Sequence, residues 1–213
     1  MTDLKALAAA ARAILPAQAA VAATDPRAAA PPLWLGEAIT ALPKRCTEFA
    51  AGRSAARAAM AQLGLPAAAI AMAPDRAPLW PAGLIGSITH SATACLAAVQ
   101  RAPGLIGLDL EPATALDRDL WSITLRAEEQ EWLATQSNAP LLAKLIFSAK
   151  EAAYKAQYPR SKTLFGFEVL QITLSADSFT ARFCQDIPSF AKGTILQGGH
   201  TKSQNHFLTC VTA

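Results

Sequence analysis

Residues 84–111 read LIGSITHSATACLAAVQRAPGLIGLDLE, and their pattern sets the fold class. Three strand-like runs stand in this stretch, at 84–89, 95–100 and 105–111, each rich in apolar residues and bounded by turn formers. Arg101-Ala102-Pro103-Gly104 separates the last two and reads as a hairpin turn. Upstream, four prolines or glycines at 74, 78, 81 and 83 mark a loop, and residues 47–63 read as a helix with Thr47 as N-cap and Gly64 as its stop. Residues 1–43 are rich in Ala and Pro, with a short helical start and then an irregular stretch. Downstream, a charged helix is expected near 126–136 and a longer one over 140–157, stopped by Pro159. The tail alternates apolar and polar residues at 168–174, 179–183 and 207–211, as antiparallel strands do. Helices and hairpins are therefore mixed in both halves, and the fold class expected is α+β.

Composition narrows the function. Of 213 residues, 52% are apolar and 16% charged, which excludes global disorder. Lys and Arg number 19 against 16 acids, a net charge of +3. That excess suits an anionic small ligand or an acidic partner and is too weak for a nucleic-acid binder. The four cysteines, at 46, 95, 184 and 210, stand far apart, so neither a disulfide framework nor a zinc knuckle is indicated. They read as reduced thiols, most of them in the core. The longest apolar tract, residues 6–23, is mostly alanine broken by Arg12 and Pro16, a poor membrane span. Asp3 and Arg12 also spoil a signal-peptide reading, although Ala17-Gln18-Ala19 looks like a cleavage site. A cytoplasmic protein without an integral membrane segment is expected.

Four groups of residues carry chemistry. Asp109 and Glu111 alternate with Ile106, Leu108 and Leu110, so on a strand both carboxylates project from one face. Two like charges side by side repel, and a hard cation such as Mg²⁺ relieves this; a solvated acidic face is the other reading. In FSAKEAAYK (147–155), a helix places Leu141, Leu145, Ala149, Ala152 and Ala156 on one apolar stripe. Glu151, Phe147, Tyr154 and Tyr158 fall opposite, with Lys155 one turn on. Three aromatics around a carboxylate suggest a covered face or a cleft, against an ordinary surface Glu–Lys pair. His90, inside GSITHS (86–91), is flanked by Thr89 and Ser91 and can donate to phosphate oxygens or simply be solvated. His200 and His206 have no such context and read as loop and strand residues. Arg53 projects into the stripe formed by Phe49, Ala56, Met60 and Leu63. A charge there either snorkels to the surface or serves an anion site together with Lys44, Arg45 and Arg76.

GSITHS, IGLDLE and FSAKEAAYK occur in the order and spacing of the 4′-phosphopantetheinyl transferases, and most resemble the enterobactin-synthase component D and surfactin-type group. EFAAGRSAARAAMAQLG (48–64) and RAPLWPAG (76–83) are similar too, so the resemblance covers roughly residues 42–170. It implies a monomer of two similar α/β halves related by a pseudo-twofold axis, here 1–103 and 104–213, with coenzyme A in the cleft between them. The first half would supply contacts to the 3′-phosphate and pyrophosphate, the second the metal-binding carboxylates and the FSAKEAAYK helix. By resemblance, Asp109, Glu111 and Glu151 are Mg²⁺ ligands, and His90 and Lys155 contact the pyrophosphate. Arg53 reaches the 3′-phosphate with Arg45 as helper, and Arg76, Thr89 and Lys150 are further coenzyme A contacts. Catalysis would rest on Glu151, Lys155 and His90. The implied reaction moves 4′-phosphopantetheine from coenzyme A to a serine of an apo acyl, aryl or peptidyl carrier domain, in siderophore or other non-ribosomal peptide or polyketide synthesis. Two other readings are a non-catalytic binder of coenzyme A or carrier protein, and a Mg²⁺-dependent nucleotide pyrophosphatase.

Overall fold

A computed structural model describes residues 2–213. Its elements in chain order are α1 (Leu4–Ile14), β1 (Ala20–Thr24), α2 (Pro43–Gln62), β2 (Ala71–Met72), β3 (Pro78–Leu79), β4 (Leu84–His90), β5 (Cys95–Arg101) and β6 (Ile106–Pro112). They continue as α3 (Trp121–Thr124), α4 (Ala127–Ala134), α5 (Ala139–Ser161), β7 (Leu170–Leu174), β8 (Ser178–Phe183), β9 (Ile195–Ser203) and β10 (His206–Thr212). This is a mixed α+β architecture, as expected. Each half packs one long helix on one antiparallel sheet. The sheets differ in size: three strands in the order β1-β5-β4, and five in the order β6-β10-β9-β8-β7.

The helices form where small side chains recur. In α2, Ala55, Ala56, Ala59 and Met60 pack on Val99 and Ala97 of the first sheet. In α5, Ala149, Ala152, Ala153 and Ala156 pack on the second sheet with Val169, Leu170 and Phe179. The contact with β6 is closest at Gly107, where an added Cβ would lie 1.9 Å from the Ala152 carbonyl oxygen and 2.6 Å from the Ala156 nitrogen. On the opposite side, α1 covers both sheets: Leu7, Ala11 and Leu15 meet Leu96 and Ala98 of β5 and Leu208 and Cys210 of β10. Asp3 caps this helix by accepting hydrogen bonds from the amides of Lys5 and Ala6 at 2.9 and 3.1 Å.

The halves meet at β4 and β6, which belong to different sheets and share no backbone ladder. Side-chain hydroxyls replace it. The Leu108 amide donates to Ser87 Oγ at 2.9 Å, and the Leu110 amide donates to Thr89 Oγ1 at 3.1 Å. Both partners advance by two residues together, so the strands run side by side in the same direction.

Several expectations need correction. Residues 101–104 do not close a hairpin: β5 pairs with β4 and β1, while β6 pairs with β10. The short connection instead carries the chain from one sheet to the other. α2 begins at Pro43, whose missing N–H costs nothing at a helix start, and Thr47 sits inside the helix with its hydroxyl bonded to the Lys44 carbonyl. Gly64 does end α2, at φ +67°. Pro159 does not stop α5; the last turn continues to Ser161 and closes at Lys162 in the left-handed region, φ +53°. A proline there removes only one hydrogen bond near the end of a helix held by packing. Strands β1 and β9 lie in segments that gave no strand signal, and His200 sits on β9 rather than in a loop. Among the described residues no helix is long and apolar enough to cross a membrane.

The Gly107 approach is testable. Both atoms that a Cβ would strike belong to the α5 backbone, so relief requires the helix to move off the sheet. Gly107→Ala should cost about 3 kcal/mol, the upper range for overpacking, and lower the melting temperature by roughly 6–12 °C in a chain of this size. Calorimetry showing an unchanged melting temperature would contradict the close contact.

Candidate active site

A cleft of about 450 Å³ opens beside the β4–β6 junction. From the first half, α2 contributes Arg45, Glu48, Phe49 and Arg53, the loop between β2 and β3 contributes Arg76, and β4 contributes Ile88, Thr89 and His90. From the second half, β6 contributes Asp109 and Glu111, and α5 contributes Phe147, Glu151 and Lys155. Of the two readings of this helix face, covered or lining a cleft, the second holds for Phe147, Glu151 and Lys155. Tyr154 and Tyr158 line an adjoining trough of about 260 Å³ that shares Arg76, Ile88 and Lys155 with the cleft.

Asp109 is the most constrained carboxylate, 3% exposed. Its Oδ1 pairs with Lys155 Nζ at 2.5 Å and accepts from Thr89 Oγ1 at 3.1 Å; its Oδ2 accepts from Ser148 Oγ at 2.8 Å. Glu111 is joined to Lys144 at 3.1 Å. Burial, reinforced by repulsion from Asp109, pushes the Glu111 carboxyl above the ordinary range. Burial likewise raises Glu151; Lys155 opposes the shift, and Asp109 and Glu111 add to it. Among the described residues nothing donates a hydrogen bond to the Glu151 carboxylate.

The donor set suits a hard divalent cation: three carboxylates, oxygen only, two of which, Glu111 and Glu151, are disfavoured as anions by burial and by neighbouring acids. No three His, Cys, Asp or Glu side chains among the described residues converge closely enough to hold a metal by themselves. A Mg²⁺ ion commonly takes one or two carboxylates and fills its shell with water and substrate phosphate oxygens, and the residues present fit that manner of binding.

The cations stand opposite. Arg53 is 6% exposed, donates from Nε to the Ile70 carbonyl at 2.8 Å, and lies with its guanidinium 4.0 Å over the Phe49 ring. It forms no ion pair among the described residues, and burial pulls its pKa down to about 10. A buried guanidinium so disfavoured gains from any anion that enters the cleft. Arg57, by contrast, is spent within the fold on Glu37 at 2.6 Å. His90 lies with Nε2 2.7 Å from Arg45 Nη1. Arginine can only donate, so Nε2 accepts and Nδ1 carries the proton, facing Glu48 Oε2 at 3.7 Å. Burial first, then Arg45 and Lys155, lower the His90 pKa against the pull of Glu48 and Asp109. Lys44 does not line the cleft.

Lys150 is the clear misplacement among the expected contacts. It is 1% exposed, its Nζ is 2.7 Å from Glu129 Oε2, and it also donates to the carbonyls of Thr124 and Phe167. The ammonium points away from the cleft and ties α5 to α4 and to the segment before β7. Helical spacing carried the signal, since at about 100° per residue position 150 falls between Gln157 and Ser161, beside Ile146, on the buried side of α5. The sequence reading also passed over Ser148, Lys144 and Glu48, which hold Asp109, Glu111 and His90. All three lie on the same two helices as the expected residues, at spacings that bring them to the cleft side.

Removing one partner of a buried pair leaves the other charge uncompensated. Lys150→Ala should therefore cost about 3–5 kcal/mol and lower the melting temperature by roughly 6–20 °C. The KM for coenzyme A of the folded variant should stay within about twofold of wild type. A large rise in KM with an intact melting temperature would return Lys150 to the cleft.

Comparison with known proteins agrees with this geometry. Residues 36–100 match the family described as 4′-phosphopantetheinyl transferase N-terminal domain, and residues 105–210 match the 4′-phosphopantetheinyl transferase superfamily. The chain is 38% identical over 151 residues to 4′-phosphopantetheinyl transferase Npt of Nocardia iowensis, covering 68% of each. It is 39% identical over 160 residues to 4′-phosphopantetheinyl transferase PptT of Mycobacterium tuberculosis, covering 73% of this chain and 70% of that one. Enterobactin synthase component D of Salmonella typhimurium is 38% identical over 152 residues, 70% of this chain and 62% of that protein. With both halves matched and the cleft lying where they meet, the chain belongs to the 4′-phosphopantetheinyl transferase superfamily.

Proposed function

We propose that this cleft is where the transferase takes the phosphopantetheinyl group from coenzyme A and places it on a serine of an apo carrier protein. The observation that carries the reading is the division of labour across the β4–β6 junction: a buried guanidinium, Arg53, with no ion pair among the described residues on one wall beside Arg45, which is paired only at 3.4 Å to Glu48, and crowded carboxylates on the other. A passive binder has no need of the second wall. A pyrophosphatase would need a water held for attack, whereas an open groove with an unengaged carboxylate suits a carrier serine.

In this reading residues 1–103 supply Arg53 for the 3′-phosphate, with Arg45, Arg76 and Thr89 along the nucleotide. Residues 104–213 supply Asp109, Glu111 and Glu151, which would hold Mg²⁺ against the pyrophosphate. Bound there, the ion would neutralise phosphate charge that otherwise repels a nucleophile. The serine oxygen attacks the β-phosphorus, and the bond to the departing 3′,5′-ADP breaks. Lys155 stabilises the charge that develops on the leaving group. An arriving pyrophosphate competes with His90 for Arg45 and raises the affinity of the ring for a proton, so His90 becomes a second donor. Glu151, to which no described residue donates a hydrogen bond, takes the serine proton directly or through a water that it holds. The acceptor belongs to the acyl, aryl and peptidyl carrier domains of siderophore, non-ribosomal peptide or polyketide assembly, on the likeness to enterobactin synthase component D. The protein acts as a cytoplasmic monomer, and its +3 charge favours an acidic carrier at long range.

The test is label transfer from a fluorescent coenzyme A to an apo carrier, read in gel and by mass. Wild type should load the serine, and Glu151→Gln should slow turnover by about two to four orders of magnitude while calorimetry still shows coenzyme A binding. Unchanged turnover by a folded Glu151→Gln protein would remove Glu151 from the chemistry. Release of free phosphopantetheine without carrier would favour the pyrophosphatase reading.

A further inference from the structure

The row of hydroxyls on β4 continues past the cleft. Ser91 follows His90, is buried, and places its Oγ 3.0 Å from Nε2 of His206, the first residue of β10. Thr93 Oγ1 stands 3.2 Å from the same nitrogen, and the Thr93 amide donates to Ser91 Oγ. The other ring nitrogen, Nδ1, is 2.8 Å from the Gln204 carbonyl oxygen. A carbonyl can only accept, so Nδ1 carries the proton and the neutral ring presents a bare Nε2 to the two hydroxyls. The ring is held by the turn it belongs to. Gln204 and Asn205 lie at φ +49° and +57°, the left-handed pair that closes a two-residue hairpin between β9 and β10.

His206 therefore joins two places that the reaction must keep in register. It sits opposite Pro112, one position beyond the Phe207–Glu111 pair, at the end of β6 that bears the carboxylates. Across the junction it grips the β4–β5 turn, which begins at the residue after His90. It does not line the cleft and is 6% exposed, so it has no route to the substrate.

We propose that His206 is a positioning residue for the transfer reaction: through Ser91 and Thr93 it fixes the β4–β5 turn, and with it His90, against the strand that carries Glu111. The proposal rests on the reading of His90 as a contact to the pyrophosphate. A displacement of about 1 Å in a group that binds the reacting centre can cost up to a hundredfold in rate. A purely structural residue would lower stability and act independently of His90.

A double-mutant cycle separates these cases. His206→Leu, His90→Ala and the pair are assayed for kcat and KM with coenzyme A and apo carrier, with melting temperatures taken alongside. His206→Leu should lower kcat/KM by about 10- to 100-fold with His90 present and by less than about twofold in the His90→Ala background. His206→Gln, which keeps an acceptor for the hydroxyls, should restore most of the loss. If His206→Leu fails to fold, Ser91→Ala with Thr93→Val removes the same two bonds from the other side and enters the same cycle. Equal losses in both backgrounds, no loss at all with His90 present, or a Gln variant no better than Leu would overturn the proposal. Wild-type kcat/KM in His90→Ala would overturn the reading of His90 itself, and the positioning role with it, a result distinguishable from the others because it appears in the single variant.

Discussion

Strand β6 is an edge with no backbone partner on one side, and the structure depends on how that edge is satisfied. Its inward amides at Leu108 and Leu110 are buried, and each would cost about 1–3 kcal/mol if left unpaired. Ser87 and Thr89 supply the acceptors. A side-chain hydroxyl can do this only if β4 lies alongside in one register, because a slip of one residue turns every hydroxyl to the other face. The bonds that satisfy β6 therefore also fix the two halves relative to each other. Thr89 serves both purposes, accepting from Leu110 and donating to Asp109.

The cleft follows from that junction. Two sheets that met through a continuous ladder would leave no opening between their helices. Held instead by a narrow row of hydroxyls, α2 and α5 face each other across a groove with their polar residues inward. The two walls carry opposite charge, and each contains groups that are uncomfortable alone. Arg53 is buried and has no ion pair among the described residues, and Glu111 and Glu151 are half-buried near like charge. A ligand with a phosphate at one end and a metal-bound pyrophosphate at the other relieves both walls, which is the chemistry of coenzyme A.

Much of this was legible in the chain because the decisive residues lie in regular elements. Alternation put Asp109 and Glu111 on one strand face, and a 100° helical step put Phe147, Glu151 and Lys155 on one wall. Arg53 stood out as a charge on an apolar stripe. What failed had tertiary causes. The link at 101–104 has the residues of a hairpin turn, yet β6 is claimed by β10, about a hundred residues away, because Leu208 and Cys210 complete the core that Leu108 and Leu110 begin. Strand β1 is five residues of mostly alanine, and β9 contains Gly198 and Gly199, so neither shows β-propensity; pairing with β5 and β10 decides them. Gly198 is required because the Phe179 ring occupies the place of a Cβ. Resemblance alone places Lys150 in the ligand site, whereas its buried pairing with Glu129 is a tertiary contact between α5 and α4 that no spacing within the chain reveals.

The central claim is that one cleft reads coenzyme A at both ends, with Arg53 on the 3′-phosphate. Measuring kcat/KM for coenzyme A and for dephospho-coenzyme A, in wild type and in Arg53→Ala, tests it most directly. A charge-assisted hydrogen bond contributes about 1.5–3 kcal/mol, so wild type should prefer coenzyme A by about 10- to 150-fold and the variant should lose most of that preference. An unchanged ratio between the two substrates in a folded Arg53→Ala protein would contradict it.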